Sequence, residues 1–140
     1  MGIISRRHLL KTVTWRVIAT TDTILLGWYI SGDLTSGMYI GGFEIFTKML
    51  LYYIHERLWF KSKFRNHKIR HILKTFSWRF IGTIDTILIS WLIVKNFSSG
   101  IKIGGLEIIT KMILYYLHEK LWYRINYGLD KNRKLIKKIF

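Results

Sequence analysis

The chain has 140 residues, of which 23 are Lys or Arg and 8 are Asp or Glu, and it contains neither Cys nor Pro. Its length fits one domain, the lack of Cys excludes disulfide scaffolds and cysteine nucleophiles, and a hydrophobic share of 50% excludes intrinsic disorder. The net charge of +15 indicates an anionic partner, either nucleic acid or a phospholipid surface.

The sequence is an internal repeat. Residues 11–60 align without a gap onto residues 74–123, and 29 of these 50 positions are identical. Two units are too few for a solenoid, which needs at least about three, so a pair related by pseudo-two-fold symmetry is expected. The predicted organisation is a first repeat at 1–61, a basic linker at 62–73, a second repeat at 74–123 and a basic tail at 124–140.

Each repeat contains two apolar segments separated by a polar turn. In chain order the elements are the segment 13–30, the turn 31–37, the segment 38–54, the segment 76–93, the turn 94–100 and the segment 101–117. With their flanks the segments have about 18–21 residues, which is long enough for a helix to cross a bilayer.

A soluble four-helix bundle is the alternative to membrane spans. It is disfavoured because the segments lack a water-facing stripe and because Trp and Tyr gather at the segment ends, as in an aromatic belt. We predict an all-α fold, an integral membrane four-helix bundle made of two tandem transmembrane helical hairpins. The hairpins are expected to be related by a pseudo-two-fold axis along the membrane normal.

The basic residues indicate an orientation. Seventeen of the 23 lie in the termini, the linker and the segment ends next to them, whereas the opposite turns carry Lys95 and Lys102. By the positive-inside rule both termini are cytoplasmic, so we predict a multi-pass protein of the inner (plasma) membrane. The basic linker and tail also contain Ile, Leu and Phe, which predicts contact with anionic lipids. No nucleic-acid-binding motif accompanies the basic residues, so nucleic acid is not expected as a partner.

Apart from Lys102 at the outer end of the last segment, eight ionisable residues interrupt the apolar segments, four in each repeat: Arg16, Asp22, Glu44 and Lys48, and then Arg79, Asp85, Glu107 and Lys111. A charge at the bilayer centre costs on the order of 2.5–3.5 kcal/mol on the insertion scale, so these side chains are expected to face inward in pairs. Depth along the helices predicts a pair between Asp22 and Lys48, either across the hairpin or with the other repeat. For Arg16 it predicts either pairing with Glu56 or snorkelling.

Two helix faces are expected to meet in the centre of the bundle. On the second segment the spacing predicts one face from Gly41, Glu44, Lys48, Tyr52, His55 and Trp59. On the first segment a narrower face of small and polar residues contains Thr12, Arg16, Thr20, Thr23 and Gly27. Both faces recur in the second repeat.

These faces support two functions, and the sequence does not choose between them. In one, the protein resembles a channel or transporter that binds a small polar solute or an ion in the bundle. An anion is one of the ions considered. The substrate-binding residues would be Arg16, Lys48, Arg79 and Lys111. A surrounding charge network would contain Asp22, Glu44, His55 and Glu56, with their equivalents Asp85, Glu107, His118 and Glu119. In the other, the protein is an accessory or assembly protein whose charges form a purely structural salt-bridge network.

Enzymatic and metal chemistry are not expected. The adjacent His-Glu pairs lack the i, i+4 spacing of a two-His metal site on a helix, and no Ser/His/Asp arrangement stands out. We therefore predict no catalytic residues, no metal and no cofactor.

The repeated motif K-T-x-x-W-R, T-x-D-T, G-G-x-E-x-x-T-K-M-x-L-Y-Y-x-H-E resembles the domain-of-unknown-function family 2061 of predicted bacterial membrane proteins. The resemblance covers residues 11–60 and 74–123. It implies a membrane protein, and because the family looks to include single two-span units, it also implies self-association into a homo-oligomer.

Overall fold

The computed structural model describes residues 3–62, 66–125 and 127, and within these residues it contains helices and turns but no strand. The helices are α1 (Ile3–Ser31), α2 (Leu34–Lys61), α3 (His67–Val94) and α4 (Phe97–Arg124). The all-α prediction is therefore confirmed. Residues 63–65 of the predicted linker, and residues 126 and 128–140 of the predicted tail, lie outside the described residues.

The turn inside the first repeat is shorter than predicted, because α2 already begins at Leu34. Asp33 caps this helix: its carboxylate accepts hydrogen bonds from the backbone N–H of Thr35 at 3.2 Å and of Ser36 at 2.9 Å. Such a cap satisfies amides that have no partner within the helix. The helix can therefore begin within the polar sequence that precedes the apolar segment.

The second repeat makes the equivalent turn with a different residue. Gly32 has a φ of 74°, and its counterpart Lys95 has a φ of 56°. Each donates its backbone N–H to a tryptophan carbonyl four residues earlier, at 2.8 Å in both cases. Left-handed backbone conformations favour glycine, so the lysine adopts the same turn at a steric cost.

Glycines bring the two helices of each hairpin close together near the turn. A methyl group on Gly41 would lie 2.6 Å from Cγ1 of Ile24, and one on Gly37 would collide with the carbonyl oxygen of Ile24. In the second repeat a methyl group on Gly100 would lie 2.9 Å from the carbonyl oxygen of Ile87. A helical-hairpin contact between α1 and α2 is thus matched by one between α3 and α4.

The chain forms two compact units. One contains residues 20–110, and the other contains residues 1–19 together with 111–140 as far as they are described. In the first unit α2 packs along α3. In the second, the N-terminal part of α1 packs against the C-terminal part of α4, where the rings of Trp15 and Tyr115 meet edge to face with centroids 5.1 Å apart.

The distribution of polar and apolar side chains is the reverse of that in a water-soluble protein. Glycines aside, nine of the buried side chains in the described part of the chain are polar or charged, and four are apolar. Large apolar side chains are exposed on all four helices, among them Tyr29, Phe46, Phe76 and Leu121. Exposed apolar surface of this extent marks contact with lipid or with other proteins.

One of the four predicted membrane spans meets the length and hydropathy expected of a transmembrane helix. Within the described residues, the helical stretch Lys68–Val94 is long and apolar enough to cross a membrane.

Candidate functional site

A cluster of charged and hydroxyl side chains is buried in the unit of residues 20–110. Its members come from all four helices and are Thr23, Glu44, Lys48, Thr86 and Glu107, which we call the central polar cluster. Glu44 and Glu107 are equivalent residues of the two repeats, and each is 4% exposed. Lys48 lies near the middle of the 28-residue helix α2.

The ammonium group of Lys48 joins the two repeats. Its Nζ contacts the carboxylate of Glu44 one turn earlier on α2, and it lies 3.4 Å from Oε1 of Glu107 on α4. It also donates to Oγ1 of Thr86 on α3 at 3.1 Å. The structure therefore pairs Lys48 with these two glutamates rather than with Asp22, which was the partner predicted from depth.

Thr23 and Thr86 place hydroxyl groups against the same carboxylates. Oγ1 of Thr23 lies 2.8 Å from Oε2 of Glu44 and 3.0 Å from Oε1 of Glu107. Thr86 donates to Oε1 of Glu44. A threonine hydroxyl has one hydrogen, so Thr23 can donate to only one of the two glutamates at a time. Two carboxylates thus compete for one donor at this point.

Two further hydrogen bonds join the repeats reciprocally. Thr47 on α2 donates to Oδ2 of Asp85 on α3 at 2.8 Å. At the equivalent positions, Thr110 on α4 donates to Oδ2 of Asp22 on α1, also at 2.8 Å. The second helix of each repeat is therefore bonded to the first helix of the other repeat.

The four predicted substrate-binding residues lie in different environments. The side chain of Lys48 is 16% exposed, and that of Lys111 is half-buried. Arg16 and Arg79 are exposed. The predicted face of α1 is therefore only partly buried: Thr23 and Gly27 are inside, whereas Thr12 and Arg16 are outside.

His55 and its neighbours form a second buried cluster, which we call the first histidine cluster (His55, Trp59, Ser77 and Trp78). Nε2 of His55 lies 2.7 Å from Oγ of Ser77, and the indole N–H of Trp59 donates to the same oxygen at 3.1 Å. The rings of His55 and Trp78 have centroids 5.6 Å apart. The cluster holds α2 against α3.

The second histidine cluster (His118, Trp122, Thr14 and Trp15) repeats this arrangement between α4 and α1. Nε2 of His118 lies 2.9 Å from Oγ1 of Thr14, and the indole N–H of Trp122 donates to that oxygen at 3.1 Å. The rings of His118 and Trp15 have centroids 5.6 Å apart. Both histidines are 4% exposed.

Each histidine is followed by a glutamate that forms an ion pair with a lysine of the other repeat. Lys74 lies 2.6 Å from Glu56, and Lys11 lies 2.5 Å from Glu119. The hydrogen bond from the lysine lowers the pKa of each glutamate below its ordinary value, and burial opposes that effect. Lys74, not Arg16, is thus the ion-pair partner of Glu56.

Arginines of the opposite repeat cap the ends of α2 and α4. Arg70 donates to the carbonyl oxygen of Trp59 at 2.9 Å, and the equivalent Arg7 donates to that of Trp122 at 2.8 Å. A cation that binds the last carbonyl groups also opposes the negative end of the helix dipole. The sequence analysis used these two arginines only as evidence for the orientation in the membrane and did not predict that they cap helices.

Several residues of these sites were missed from the sequence, namely Thr47, Thr110, Thr14 and Ser77. Their hydroxyl groups recur at equivalent positions of both repeats, and this recurrence is the pattern that could have identified them. No group of three or more metal-ligating side chains occurs in the part of the chain that the structure describes.

Comparison with known proteins gives one match. A family model described as "Predicted membrane protein (DUF2061)" matches residues 9–60 and again residues 72–123. Together the two matches cover most of the chain and coincide with the tandem repeat. No curated protein and no solved structure matches the chain.

Proposed function

The chain belongs to the family DUF2061 of predicted membrane proteins, and from that premise we propose that all four helices span the inner membrane, with both termini in the cytoplasm. The exposed apolar side chains on each helix support four spans. The concentration of 17 basic residues at one end of the predicted hairpins supports the orientation.

The two hairpins would then be related by a pseudo-two-fold axis along the membrane normal. Equivalent contacts support this symmetry, because the Thr–Asp hydrogen bonds, the histidine clusters and the arginine caps each occur twice, 63 positions apart. An even number of spans gives both repeats the same orientation in the membrane.

Our proposed function is the binding and passage of a small ion at the central polar cluster, by a protein that resembles a channel or transporter and not by an enzyme. The observation that carries it is the position of Lys48, only 16% exposed, between the buried carboxylates of Glu44 and Glu107 midway along membrane-length helices. Ionisable groups within membrane segments are costly and usually mark ion or proton pathways.

The cluster favours a proton over an anion. The ammonium group of Lys48 is already engaged by two carboxylates, which repel an approaching anion. Arg16 and Arg79, the other cations expected to hold an anion, are exposed. Thr23 has one hydrogen to share between two carboxylates, and a proton added to either glutamate would complete both hydrogen bonds.

An accessory or assembly role is the second candidate, and the Thr47–Asp85 and Thr110–Asp22 bonds favour it. A set of reciprocal bonds between the repeats is what a network that only fixes helix register would need. In that case the charges stabilise the fold and no ion passes.

Reconstitution separates the two functions. Purified protein in liposomes that contain a pH-sensitive dye is subjected to a pH gradient, with potassium and valinomycin clamping the voltage. We expect proton flux from the native protein, and its loss in Lys48→Met and Glu44→Gln. Lys102→Met, at an exposed site on α4, is the matched control and should retain the flux. Folded native protein that passes no protons would favour the accessory role.

Orientation and partners are tested separately. The chain has no Cys, so Lys95→Cys and Arg57→Cys each introduce one thiol at an exposed position. An impermeant maleimide should label Lys95→Cys from outside the cell and Arg57→Cys only after lysis.

We also propose anionic lipids and further copies of the chain as partners. Flotation with vesicles that contain or lack phosphatidylglycerol measures lipid binding, and cross-linking in the membrane measures self-association.

A further inference from the structure

The side chains of His55 and His118 each have one ring nitrogen without a hydrogen bond to any described residue. Within the described residues, Nδ1 of both histidines is buried and has no hydrogen-bond partner. The same orphaned atom occurs in both repeats, and a buried polar atom without a partner costs free energy. Its recurrence at equivalent positions calls for an explanation other than chance.

The hydrogen bonds around each hydroxyl group assign the proton on each ring. Oγ of Ser77 donates its single hydrogen to the carbonyl oxygen of Lys74 at 3.1 Å and accepts the indole N–H of Trp59. In this arrangement one lone pair is left for His55, and Nε2 of His55 donates to it. The opposite arrangement, in which Oγ donates to Nε2, is disfavoured because it leaves an N–H at Nδ1 buried without an acceptor. Nδ1 of His55 is therefore an unprotonated base.

The second histidine cluster leads to the same assignment. Oγ1 of Thr14 donates to the carbonyl oxygen of Lys11 at 3.1 Å and accepts the indole N–H of Trp122. Nε2 of His118 then donates to the remaining lone pair, and Nδ1 of His118 is left unprotonated. Serine and threonine serve equally well, because only the hydroxyl group is used.

The groups around the two bases oppose protonation on balance. Burial lowers the pKa of His55, the ammonium group of Lys74 on α3 lowers it further, and Glu56 on α2 raises it. Burial also lowers the pKa of His118, with Glu119 on α4 raising it and Lys11 on α1 lowering it.

Other charged or titratable side chains lie near the clusters. Arg7 lies over the ring of Trp122 with 5.3 Å to the centroid, and Arg70 donates to the carbonyl oxygen of Trp59. Tyr52 and Tyr115 stack edge to face on Trp78 and Trp15, the indoles next to the histidines. Each base thus lies between aromatic rings, and no side chain or backbone group of the described residues bonds to its Nδ1.

We propose that His55 and His118 are two equivalent proton-binding sites, and that uptake of a proton at Nδ1 separates α2 from α3 and α4 from α1 at the histidine clusters. The new N–H has no acceptor among the described residues of the closed cluster, and the imidazolium charge would be buried close to the ammonium group of a lysine. Rearrangement towards water resolves both problems. This site is distinct from the central polar cluster and does not depend on ion passage there.

Nitrogen NMR tests the assignment without altering either site. The three other histidines are replaced in the variant His8→Gln/His67→Gln/His71→Gln, and the protein is labelled with ¹⁵N-histidine in nanodiscs. Near pH 8 we expect both rings as the Nε2–H tautomer, with Nδ1 resonating as an unprotonated nitrogen. On acidification both should titrate with midpoints below about 6.5, the usual value for histidine, together with a change in tryptophan fluorescence.

Matched variants locate the effect. Ser77→Ala should remove the tautomer preference of His55 and leave that of His118, and Thr14→Ala should do the reverse. An Nδ1–H tautomer, an equal mixture of tautomers in the unaltered clusters, or titration without any change in tryptophan fluorescence would each overturn the proposal.

Discussion

Thr47 on α2 donates a 2.8 Å hydrogen bond to Asp85 on α3, so the repeats are joined by a hydroxyl of one and a carboxylate of the other. The equivalent bond from Thr110 to Asp22 has the same length. Asp85 is 8% exposed, so water does not replace the hydroxyl freely if it is removed. The pairing of the repeats therefore rests on specific polar contacts as well as on packing.

Replacing Thr47 with Val should lower the free energy of unfolding by about 0.6–1.7 kcal/mol, the range found for hydrogen bonds between membrane helices. Val keeps the shape and removes the donor to Asp85. Reversible unfolding in mixed micelles measures the change. Thr12→Val is the control, because Thr12 is exposed and bonds only to the backbone of its own helix. Equal losses in both variants would contradict a role for the bond.

Replacing Lys48 with Met should destabilise the protein by about 3–5 kcal/mol, because removal of one partner leaves buried charge uncompensated. The double variant Glu44→Gln/Lys48→Met should lose less unfolding free energy than the two single variants lose together, since the neutral amide of Gln needs no cation beside it. A double-mutant cycle on unfolding free energies measures this coupling. Strict additivity would show that the contact between Lys48 and Glu44 does not contribute.

Replacing Gly100 with Ala should destabilise the second hairpin, because the added methyl group would lie 2.9 Å from the carbonyl oxygen of Ile87. Overpacking of this kind costs about 1–3 kcal/mol. Gly105→Ala, five residues further along the same helix, is the matched control, since a methyl group there meets no atom within 4 Å. The control should be neutral or slightly stabilising. Thermal unfolding of the two variants in the same detergent compares them.

Replacing Lys95 with Gly should stabilise the protein by up to about 1 kcal/mol, because Lys95 has a φ of 56° and glycine adopts this region without steric cost. The counterpart Gly32→Ala should be destabilised, since its φ of 74° would then be imposed on a residue with a Cβ. Opposite signs of the two changes in unfolding temperature are the expected result. A stabilised Gly32→Ala would contradict the steric explanation.

Acid should weaken the ion pairs at Glu56 and Glu119. The hydrogen bond from Lys74 lowers the pKa of Glu56 in the folded state, so its contribution is present above the ordinary glutamate value of about 4.3 and is lost as the pH falls through the lowered pKa. Because the side chain of Glu56 is 46% exposed, the contribution should stay under about 1 kcal/mol and shrink with salt.

The pH dependence of unfolding measures this contribution. Glu56→Gln should flatten the acidic end of the profile. An unchanged acidic end in Glu56→Gln would rule out the ion pair as its source.

Much of the fold could be predicted from the sequence, because the internal identity, the apolar segment lengths and the helical spacing all indicate the same helices. The repeat, the four helices and the inward position of Gly41, Glu44 and His55 on α2 were predicted from identity, apolar length and helical spacing. Tyr52, expected on the same face, is 47% exposed. The helices and their inward residues depend on local spacing, and the repeat depends on sequence identity between the two halves. The central charges were also expected to be buried in partnership, because an unpaired charge in hydrocarbon is too costly.

The pairing of those charges was not predictable in the same way. Depth along a hairpin favours Asp22 with Lys48, but depth carries no information on which repeat supplies the partner. The inward face of α1 is displaced from Arg16 to Thr14 and Trp15, because the C-terminal part of α4 presents His118 and Trp122 to that side. The rotation of α1 about its own axis thus depends on contacts with a helix that is distant in the sequence.

The reciprocal bonds between the repeats have a consequence for descent. Each hairpin draws a Thr donor for its Asp and a Lys for its His-adjacent Glu from the other hairpin. Fusion of two copies fixes their stoichiometry at one to one and frees each half to diverge. Gly27 and Gly32 have already become Ser90 and Lys95. An assembly that began with strict symmetry can thereby acquire two non-identical sides.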